Sequence, residues 1–314
     1  MKPQERVFVA PQTLNPQPRT RARSLPPLGD RVKMKSTKLF LFTLAVALVA
    51  LAATTIGFAQ NPSCDTVTVV EADIARQAEN TPPTKNWVLY IRNAGNGVFR
   101  SGPATPPAGV GSFEMLTPTG ADKATLFNFD HIGTTLTSID KLGYATYRTA
   151  GSEQQVTALN MQVDVNGAAP GGFTTLVFEP VYNTNQGSVV DGTWQTWDAY
   201  LGGNAIWWSS NPIPSAPNRD TFVSWSTIVA ANPDAVIVGG YGINQGSGNP
   251  ALTTASDVLS IGSDGECVTY NFDPFRVATN KDQCKNGGYN GVKRGDGSSF
   301  KNQGDCVSYV SNGK

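Results

Sequence analysis

From residue 64 onward, short runs of β-branched and aromatic residues alternate with clusters of Gly, Pro, Asn and Asp. Such runs are typical of β-strands, and such clusters are typical of the turns between them. About a dozen strands with one short helix in roughly 215 residues predict an all-β domain, a two-sheet antiparallel jelly-roll sandwich. We place this domain at residues 60–275. A parallel α/β fold needs a helix at each crossover, and these helices are missing.

Two of the runs indicate their place in the sandwich. Residues 158–165 alternate, with Leu159, Met161 and Val163 on one side and polar residues on the other, which predicts a strand with one buried face and one wet face. Residues 173–182 are apolar on both sides except Glu179, which predicts a central strand. The predicted strands cover residues 67–70, 87–91, 113–116, 124–129, 136–139, 144–148, 158–165, 173–182, 235–243, 257–261 and 267–272.

One helix is predicted at residues 221–231. Asp220 is a suitable N-cap residue, Trp225 and Val229 lie at helical spacing, and Pro233 follows the end.

The first 59 residues contain nine basic and two acidic residues and form two segments. Residues 1–33 are rich in Pro, Gln and Arg without apolar periodicity, which predicts disorder, and we expect that translation begins at Met34. Residues 34–59 have a basic start, an apolar run at 39–53 and small residues at 57 and 59, which predicts a cleaved secretory signal peptide. The alternative is an uncleaved anchor helix, because residues 39–59 just reach across a bilayer.

The chain as a whole has 24 basic and 24 acidic residues, but removal of residues 1–59 leaves 15 and 22. An acidic surface repels nucleic-acid phosphates and anionic lipid. We therefore predict no nucleic-acid partner and no membrane association after signal cleavage. The predicted location is extracellular, free or at the cell surface, and the predicted state is a monomer.

All four cysteines follow the predicted signal peptide, and an even number in an exported chain indicates disulfides. Three pairings are open. We favour Cys64–Cys267, which ties the first and last predicted strands, and Cys284–Cys306, which closes a Gly-rich tail at residues 280–314. No separate core is predicted for this tail.

Four of the six tryptophans lie between residues 194 and 208. Neighbours in a strand point to opposite faces, so Trp194 and Trp197 face opposite ways, as do Trp207 and Trp208. One of each pair is expected in the core and the other on an outer or concave face, where its ring could stack on a sugar. The alternative, that loops or the tail cover these rings, stays open.

Trp197 shares its predicted face with Gln195, so we predict that Trp197 points outward. The predicted binding residues are Trp197, Gln195, Tyr200, Trp207 and Asp198.

Patterns for catalysis and metal binding are weak. Glycoside hydrolysis needs two carboxylates about 5–10 Å apart, and Glu179, Asp191 and Asp198 are the candidates. The chain lacks the G-x-S-x-G pattern of serine hydrolases and the C-x₂-C pairs of zinc sites. His131 is interpreted as a hydrogen-bonded structural residue, and Asp257 as a brace for a loop. We predict no catalytic residue, no metal and no cofactor.

The segment Gly-Thr-Trp-Gln-Thr-Trp-Asp at 192–198, with Ser-Asp-Val-Leu-Ser-Ile at 256–261, resembles the jelly-roll domains of carbohydrate-binding modules and concanavalin-like lectins. The resemblance implies glycan binding on a concave face or a loop rim, in some members with a structural calcium ion. The tail resembles a Cys-bracketed segment that ends many secreted actinobacterial proteins. Its residues 281–314 carry six basic and three acidic residues, which favours a basic clip on the acidic domain or on an anionic wall polymer.

These patterns favour an exported, non-catalytic protein that binds a glycan or a cell-wall polymer. Two alternatives stay open: a structural surface or adhesion domain without a small-molecule ligand, and a divergent glycoside hydrolase.

Overall fold

The computed structural model describes residues 64–151, 154–167 and 171–313. The predictions of disorder at residues 1–33 and of a signal peptide at 34–59 lie outside the described residues. Within the described ranges, no helix has both the length and the apolar character needed to cross a membrane.

The described residues form fifteen strands and two α-helices. The strands are β1 Asp65–Val69, β2 Ile74–Ala78, β3 Trp87–Arg92, β4 Asn96–Ser101, β5 Gly111–Thr117, β6 Lys123–Asn128, β7 Ile139–Ala150, β8 Ala158–Asp164, β9 Phe173–Phe178, β10 Trp194–Asp198, β11 Ile206–Ser209, β12 Val223–Ser224, β13 Val236–Gly246, β14 Leu252–Ser263 and β15 Glu266–Phe272. The helices are α1 Trp225–Ala231 and α2 Gln303–Asn312.

These strands form two sheets that pack as a sandwich. The eight-stranded sheet has the order β12-β11-β9-β8-β13-β6-β3-β2. The seven-stranded sheet has the order β1-β15-β14-β5-β4, with β7 paired to β14 and β10 paired to β7. Two edge pairs, β1–β15 and β2–β3, are parallel, and the other pairs between these strands are antiparallel. The predicted all-β, two-sheet sandwich is confirmed.

The core lies between the sheets, and β8 shows how the sequence builds it. Leu159, Met161 and Val163 are completely buried in this core, while Asn160 and Gln162 lie on the opposite face. Alternation along the strand predicts this arrangement. Strand β9 runs between β8 and β11, as its apolar sequence predicts.

Local pairing changes the predicted helix. Val223 and Ser224 pair with β11 as a short strand, so α1 begins at Trp225 and not at Thr221. Ser224 is the N-cap, and its hydroxyl accepts the N–H of Thr227 at 3.2 Å. The predicted strand at residues 136–139 is also wrong in part, because Leu136–Ser138 is a 3-10 turn.

Both predicted disulfides, Cys64–Cys267 and Cys284–Cys306, are present. The sequence predicted no separate core for the tail, and this prediction is wrong. A small apolar cluster surrounds the Cys284–Cys306 bridge and includes Val292 and Phe300. The Gly-rich composition conceals this cluster, because its apolar residues are scattered along the tail and are packed together by α2 and the disulfide.

Candidate functional site

The four clustered tryptophans divide between the core and the two outer faces. Trp197 is 1 % exposed and donates its indole N–H to Thr146 Oγ1 at 2.8 Å. Trp207 is 0 % exposed and donates to the carbonyl of Ala199 at 2.9 Å. The prediction that Trp197 points outward is therefore wrong, because β10 pairs with β7 so that Trp197 lies opposite the buried Tyr144.

Trp194 is the outward member of the first pair. It lies opposite Tyr147 on the seven-stranded sheet, with the ring centroids 5.6 Å apart. Its indole N–H donates to the carbonyl of Pro103 at 2.9 Å, so the loop between β4 and β5 contacts this tryptophan. The ring is half-buried.

The remaining predicted binding residues brace loops or line a neighbouring surface. Gln195 accepts the N–H of Val190 at 2.7 Å and donates to the carbonyl of Ser188 at 2.8 Å. Asp198 Oδ1 accepts the N–H of Tyr200 at 3.0 Å, and these two residues line, together with Trp197, a depression of about 410 Å³ on the seven-stranded sheet. The five predicted residues do not form one open site: two are buried in the core, and the Gln195 amide is occupied by a loop.

A different cleft, of about 370 Å³, lies on the outer face of the eight-stranded sheet. Strand register places Trp208, Val177, Asn160, Gly242 and Phe127 in one row across five strands. Neighbouring strands are about 4.8 Å apart, so Trp208 and Asn160, two strands apart, are separated by about 10 Å along the row. We call this the outer-face cleft.

Trp208 and Glu179 form one wall of the outer-face cleft. The indole N–H of Trp208 donates to Glu179 Oε2 at 2.8 Å, which fixes the half-buried indole. Burial raises the pKa of Glu179, and the hydrogen bond from Trp208 partly offsets this effect. The indole therefore has an amphipathic setting, with its polar edge satisfied by protein and its ring at the cleft.

Asn160 contributes a free acceptor to the same cleft. Its side chain is 7 % exposed and lines the cleft, and its Oδ1 has no hydrogen-bond partner among the described residues. A buried amide oxygen without a donor costs about 1–3 kcal/mol. Native structures satisfy nearly all such atoms, so a water molecule or a ligand group in the cleft is expected to donate to this oxygen.

Further polar groups lie beside Asn160. Asn244 Oδ1 accepts the hydroxyl of Thr125 at 2.7 Å, which leaves the Asn244 NH₂ group as a donor that can face the cleft. Thr175 adds a hydroxyl on the neighbouring strand β9. Together, the groups supply acceptors and donors within one strand spacing of each other, which suits a ligand with several hydroxyls.

Basic side chains flank the outer-face cleft. Lys123 Nζ lies 2.6 Å from Glu79 Oε1, and Arg92 lies 3.1 Å from Glu79 Oε2. Arg92 also donates to the hydroxyl of Ser247, which is part of the cleft wall. Arg219 lines the cleft near Trp208 and comes from the loop before β12, a segment in which the sequence predicted no functional residue.

An aromatic groove of about 640 Å³ continues along the same face and shares Lys123 and Thr175 with the cleft. It contains Tyr90, Phe127 and Phe129, whose ring centroids are 6.3–6.5 Å apart in edge-to-face contacts. The outer face of this sheet is thus polar at one end and aromatic at the other.

The carboxylates proposed for glycoside hydrolysis do not share a cleft. Asp191 pairs with Arg148 at 3.2 Å, and Asp198 caps the turn that follows β10. Glu179 is the one acidic residue, among those that the structure describes, that lines the outer-face cleft. Glu179 therefore has neither of the other two candidate carboxylates beside it in the outer-face cleft.

His131 has the structural role that the sequence predicted. Its Nε2 lies 2.9 Å from the hydroxyl of Tyr270, and its ring packs edge-on to Tyr241. Burial lowers the pKa of this histidine.

The buried carboxylates Asp257 and Asp273 brace the loop before β5. Burial raises the pKa of Asp257 to about 7. Calcium requires a shell of oxygen ligands, and here every carboxylate oxygen already accepts an N–H, so the pair does not fit a calcium ion. The donors are the backbone N–H groups of Phe272, Ala108 and Val110 and the side-chain amide of Asn271. The described residues contain no group of three or more His, Cys, Asp or Glu side chains that could hold a metal ion.

Neither a protein-family model nor a curated protein sequence matches this chain. Two solved structures are similar to it. One is a family 11 carbohydrate-binding module from Clostridium thermocellum in complex with a β-1,3-1,4-mixed-linked tetrasaccharide, at 10 % identity and a TM-score of 0.32 over 55 % of this chain and 85 % of that chain. The other is the family 11 module of the cellulosomal cellulase Lic26A-Cel5E of the same organism, with the same identity, TM-score and share of this chain, and 84 % of that chain. These TM-scores do not support equating residues.

Proposed function

We propose that this chain is an exported, non-catalytic protein that binds a glycan in the outer-face cleft. The observation that carries the proposal is the buried Asn160 Oδ1, which has no donor among the described residues and lies in one cross-strand row with the half-buried Trp208. A sugar offers hydroxyl donors and apolar ring faces, and these are the two things that this arrangement can bind.

Two features support export. Disulfides form and persist in oxidising compartments, and this chain has two. The predicted signal peptide at residues 34–59 is the second feature.

The first test compares the two outward tryptophans. Both Trp208 and Trp194 are half-buried and donate their indole N–H to protein, but they lie on opposite sheets. On a glycan array we expect Trp208→Ala to lose binding by tenfold or more, because stacking on an aromatic ring is removed, while Trp194→Ala retains wild-type binding. Loss of binding in Trp194→Ala alone would place the site on the seven-stranded sheet and contradict the proposal.

The second test uses Asn160→Leu, which has nearly the same shape without the polar group. The replacement removes an unsatisfied buried oxygen, so we expect no loss in the free energy of unfolding. Glycan binding is expected to fall by tenfold or more. A variant that unfolds more easily but binds normally would show that Asn160 is structural. Absence of any glycan ligand for the wild type would instead favour the surface or adhesion domain.

A further inference from the structure

The charge of the outer-face cleft is opposite to the charge of the domain around it. Residues 60–280 contain nine basic and nineteen acidic residues. Two of these nine, Lys123 and Arg219, line the cleft, whereas Glu179 is the one acidic residue that lines it among those described. A random distribution over the domain surface would place about twice as many acidic as basic residues there.

Among the described residues, Arg219 is the one arginine without a carboxylate partner. Residues 60–280 contain six arginines, and five of them have a carboxylate oxygen at 2.6–3.2 Å: Arg76, Arg92, Arg100, Arg148 and Arg276. No carboxylate of the described residues pairs with Arg219. Its Nε donates to the carbonyl of Ser210 at 3.1 Å, which fixes one edge of the guanidinium and leaves the Nη groups to bind elsewhere.

The acidic residues near the cleft do not neutralise it. Glu79 is shared by Lys123 and Arg92, and Arg92 also interacts with the Asp122 carboxylate, so we do not count Arg92 in the charge of the cleft. Glu179 accepts the indole N–H of Trp208. Burial raises the pKa of its carboxyl, so the ionised form is disfavoured. The local balance is therefore positive in a domain with an excess of acidic residues.

We propose that the glycan of this cleft is acidic, and that Arg219 binds a carboxylate carried by one of its sugar units. A planar guanidinium with free Nη donors matches a planar carboxylate through two parallel hydrogen bonds. Lys123 adds a point charge on the far side of the Asn160 row. This inference rests on the proposed function, since it assigns the chemistry of the ligand to the same cleft.

The surrounding acidic surface limits which anions can reach the site. A dense polyanion such as a nucleic acid or a heavily sulfated chain would be repelled along most of its length. A uronic-acid polymer has at most one carboxylate per sugar unit and retains hydroxyls for Asn160 and a ring face for Trp208. The cleft therefore favours uronate over sulfate or phosphate polymers.

The test uses matched pairs of polymers that differ only in charge. Polygalacturonate is compared with its methyl ester, and alginate with its carboxyl-reduced form, by isothermal titration calorimetry at low and high salt. We expect at least one acid form to bind tenfold or more tighter than its neutral partner. Arg219→Gln should remove that preference, weakening binding of the acid form tenfold or more relative to binding of the neutral form. Arg100→Gln, an exposed arginine on the other sheet, is the matched control and should bind as wild type does.

The outcomes separate this inference from the proposed function. Equal affinity for both members of every pair, in the wild type and in Arg219→Gln, would overturn the acidic ligand, while loss of binding in Asn160→Leu would uphold the glycan site. Dextran sulfate serves as the control for non-specific attraction. If it bound as tightly as the best acid form and Arg100→Gln weakened both, general electrostatics would explain the preference and the inference would fail. If none of these polymers bound while the array identified a neutral glycan ligand, the acidic ligand alone would fail; if the array also identified none, both proposals would fail.

Discussion

At the scale of single residues, Trp197 and Asn160 mark what strand alternation can predict. Alternation places Trp194 and Trp197 on opposite faces whatever the fold. Which of them turns inward depends on register: Trp197 lies opposite Tyr144, whose ring is buried in the core. The local sequence does not contain this register, so the choice of Trp197 as the outward ring failed. Asn160 was placed correctly on the polar face of its strand, because that inference needed only the strand itself.

Asp257 gives the protein a measurable dependence on pH. Its ordinary pKa is 3.8, and burial raises it to about 7 in the folded state. Between these values the folded protein holds a proton that the unfolded chain has released. The stability that this proton contributes is complete below about pH 4 and is lost as pH rises through about 7. We expect the free energy of unfolding to fall by up to about 4 kcal/mol from Asp257 between pH 4 and pH 8.

Urea unfolding at pH 5 and pH 8 measures this dependence. Asp257→Asn carries no titratable group, so its unfolding free energy should change less across this range than that of the wild type. His131 has a lowered pKa and contributes with the opposite sign in both proteins, so the difference between them isolates Asp257. Parallel pH profiles for the two proteins would contradict the assignment.

At the scale of elements, the start of helix α1 is determined by strand pairing and not by the local sequence. The sequence predicted Asp220 as the N-cap residue of this helix. The structure uses Ser224, because Val223 and Ser224 are held as a strand against β11. We expect Ser224→Ala to lower the free energy of unfolding by about 1 kcal/mol.

Asp220→Ala is the matched control and should change stability by less than about 0.5 kcal/mol, as exposed positions without a cap usually do. Both values come from denaturant unfolding at one pH. A larger loss in Asp220→Ala than in Ser224→Ala would mean that the helix begins earlier, at the position that the sequence favoured.

The elements also explain why the sequence located the fold better than the site. Strands such as β8 and β9 carry their burial pattern in their own residues, so the two-sheet sandwich followed from them. The outer-face cleft combines Asn160 from β8, Trp208 from β11 and Arg219 from a loop. These residues become neighbours only because β9 pairs with both β8 and β11. The sequence of no single segment predicts this strand order.

At the scale of the whole molecule, the tail and the sandwich have separate apolar cores. The tail core surrounds Cys284–Cys306, and it shares no residue with the core between the two sheets. An ion pair from Arg276 to Asp73, at 2.6 Å, connects the segment between β15 and the tail to the turn before β2. The role of the tail as a basic clip stays a prediction, and its independence from the glycan cleft can be measured.

We expect loss of the tail disulfide to act locally. A bridge that closes a loop of about 23 residues stabilises by roughly 3 kcal/mol, and here that contribution falls on the tail core. In the double variant Cys284→Ser/Cys306→Ser, hydrogen exchange should rise across residues 281–313 and stay unchanged in β8 and β9. Glycan affinity should also stay unchanged, because no residue of the cleft lies in the tail.

The double variant Cys64→Ser/Cys267→Ser is the informative comparison, because this bridge joins β1 and β15 across a separation of 203 residues. Its loss removes up to about 5 kcal/mol from the sandwich itself, which corresponds to a fall in Tm of about 10 °C or more. Faster hydrogen exchange should then appear in β15, which contains Cys267, and in β14, which pairs with β15. If the tail variant lowered Tm as much as the sandwich variant, or weakened glycan binding, the two cores would be energetically coupled and the cleft would depend on the tail.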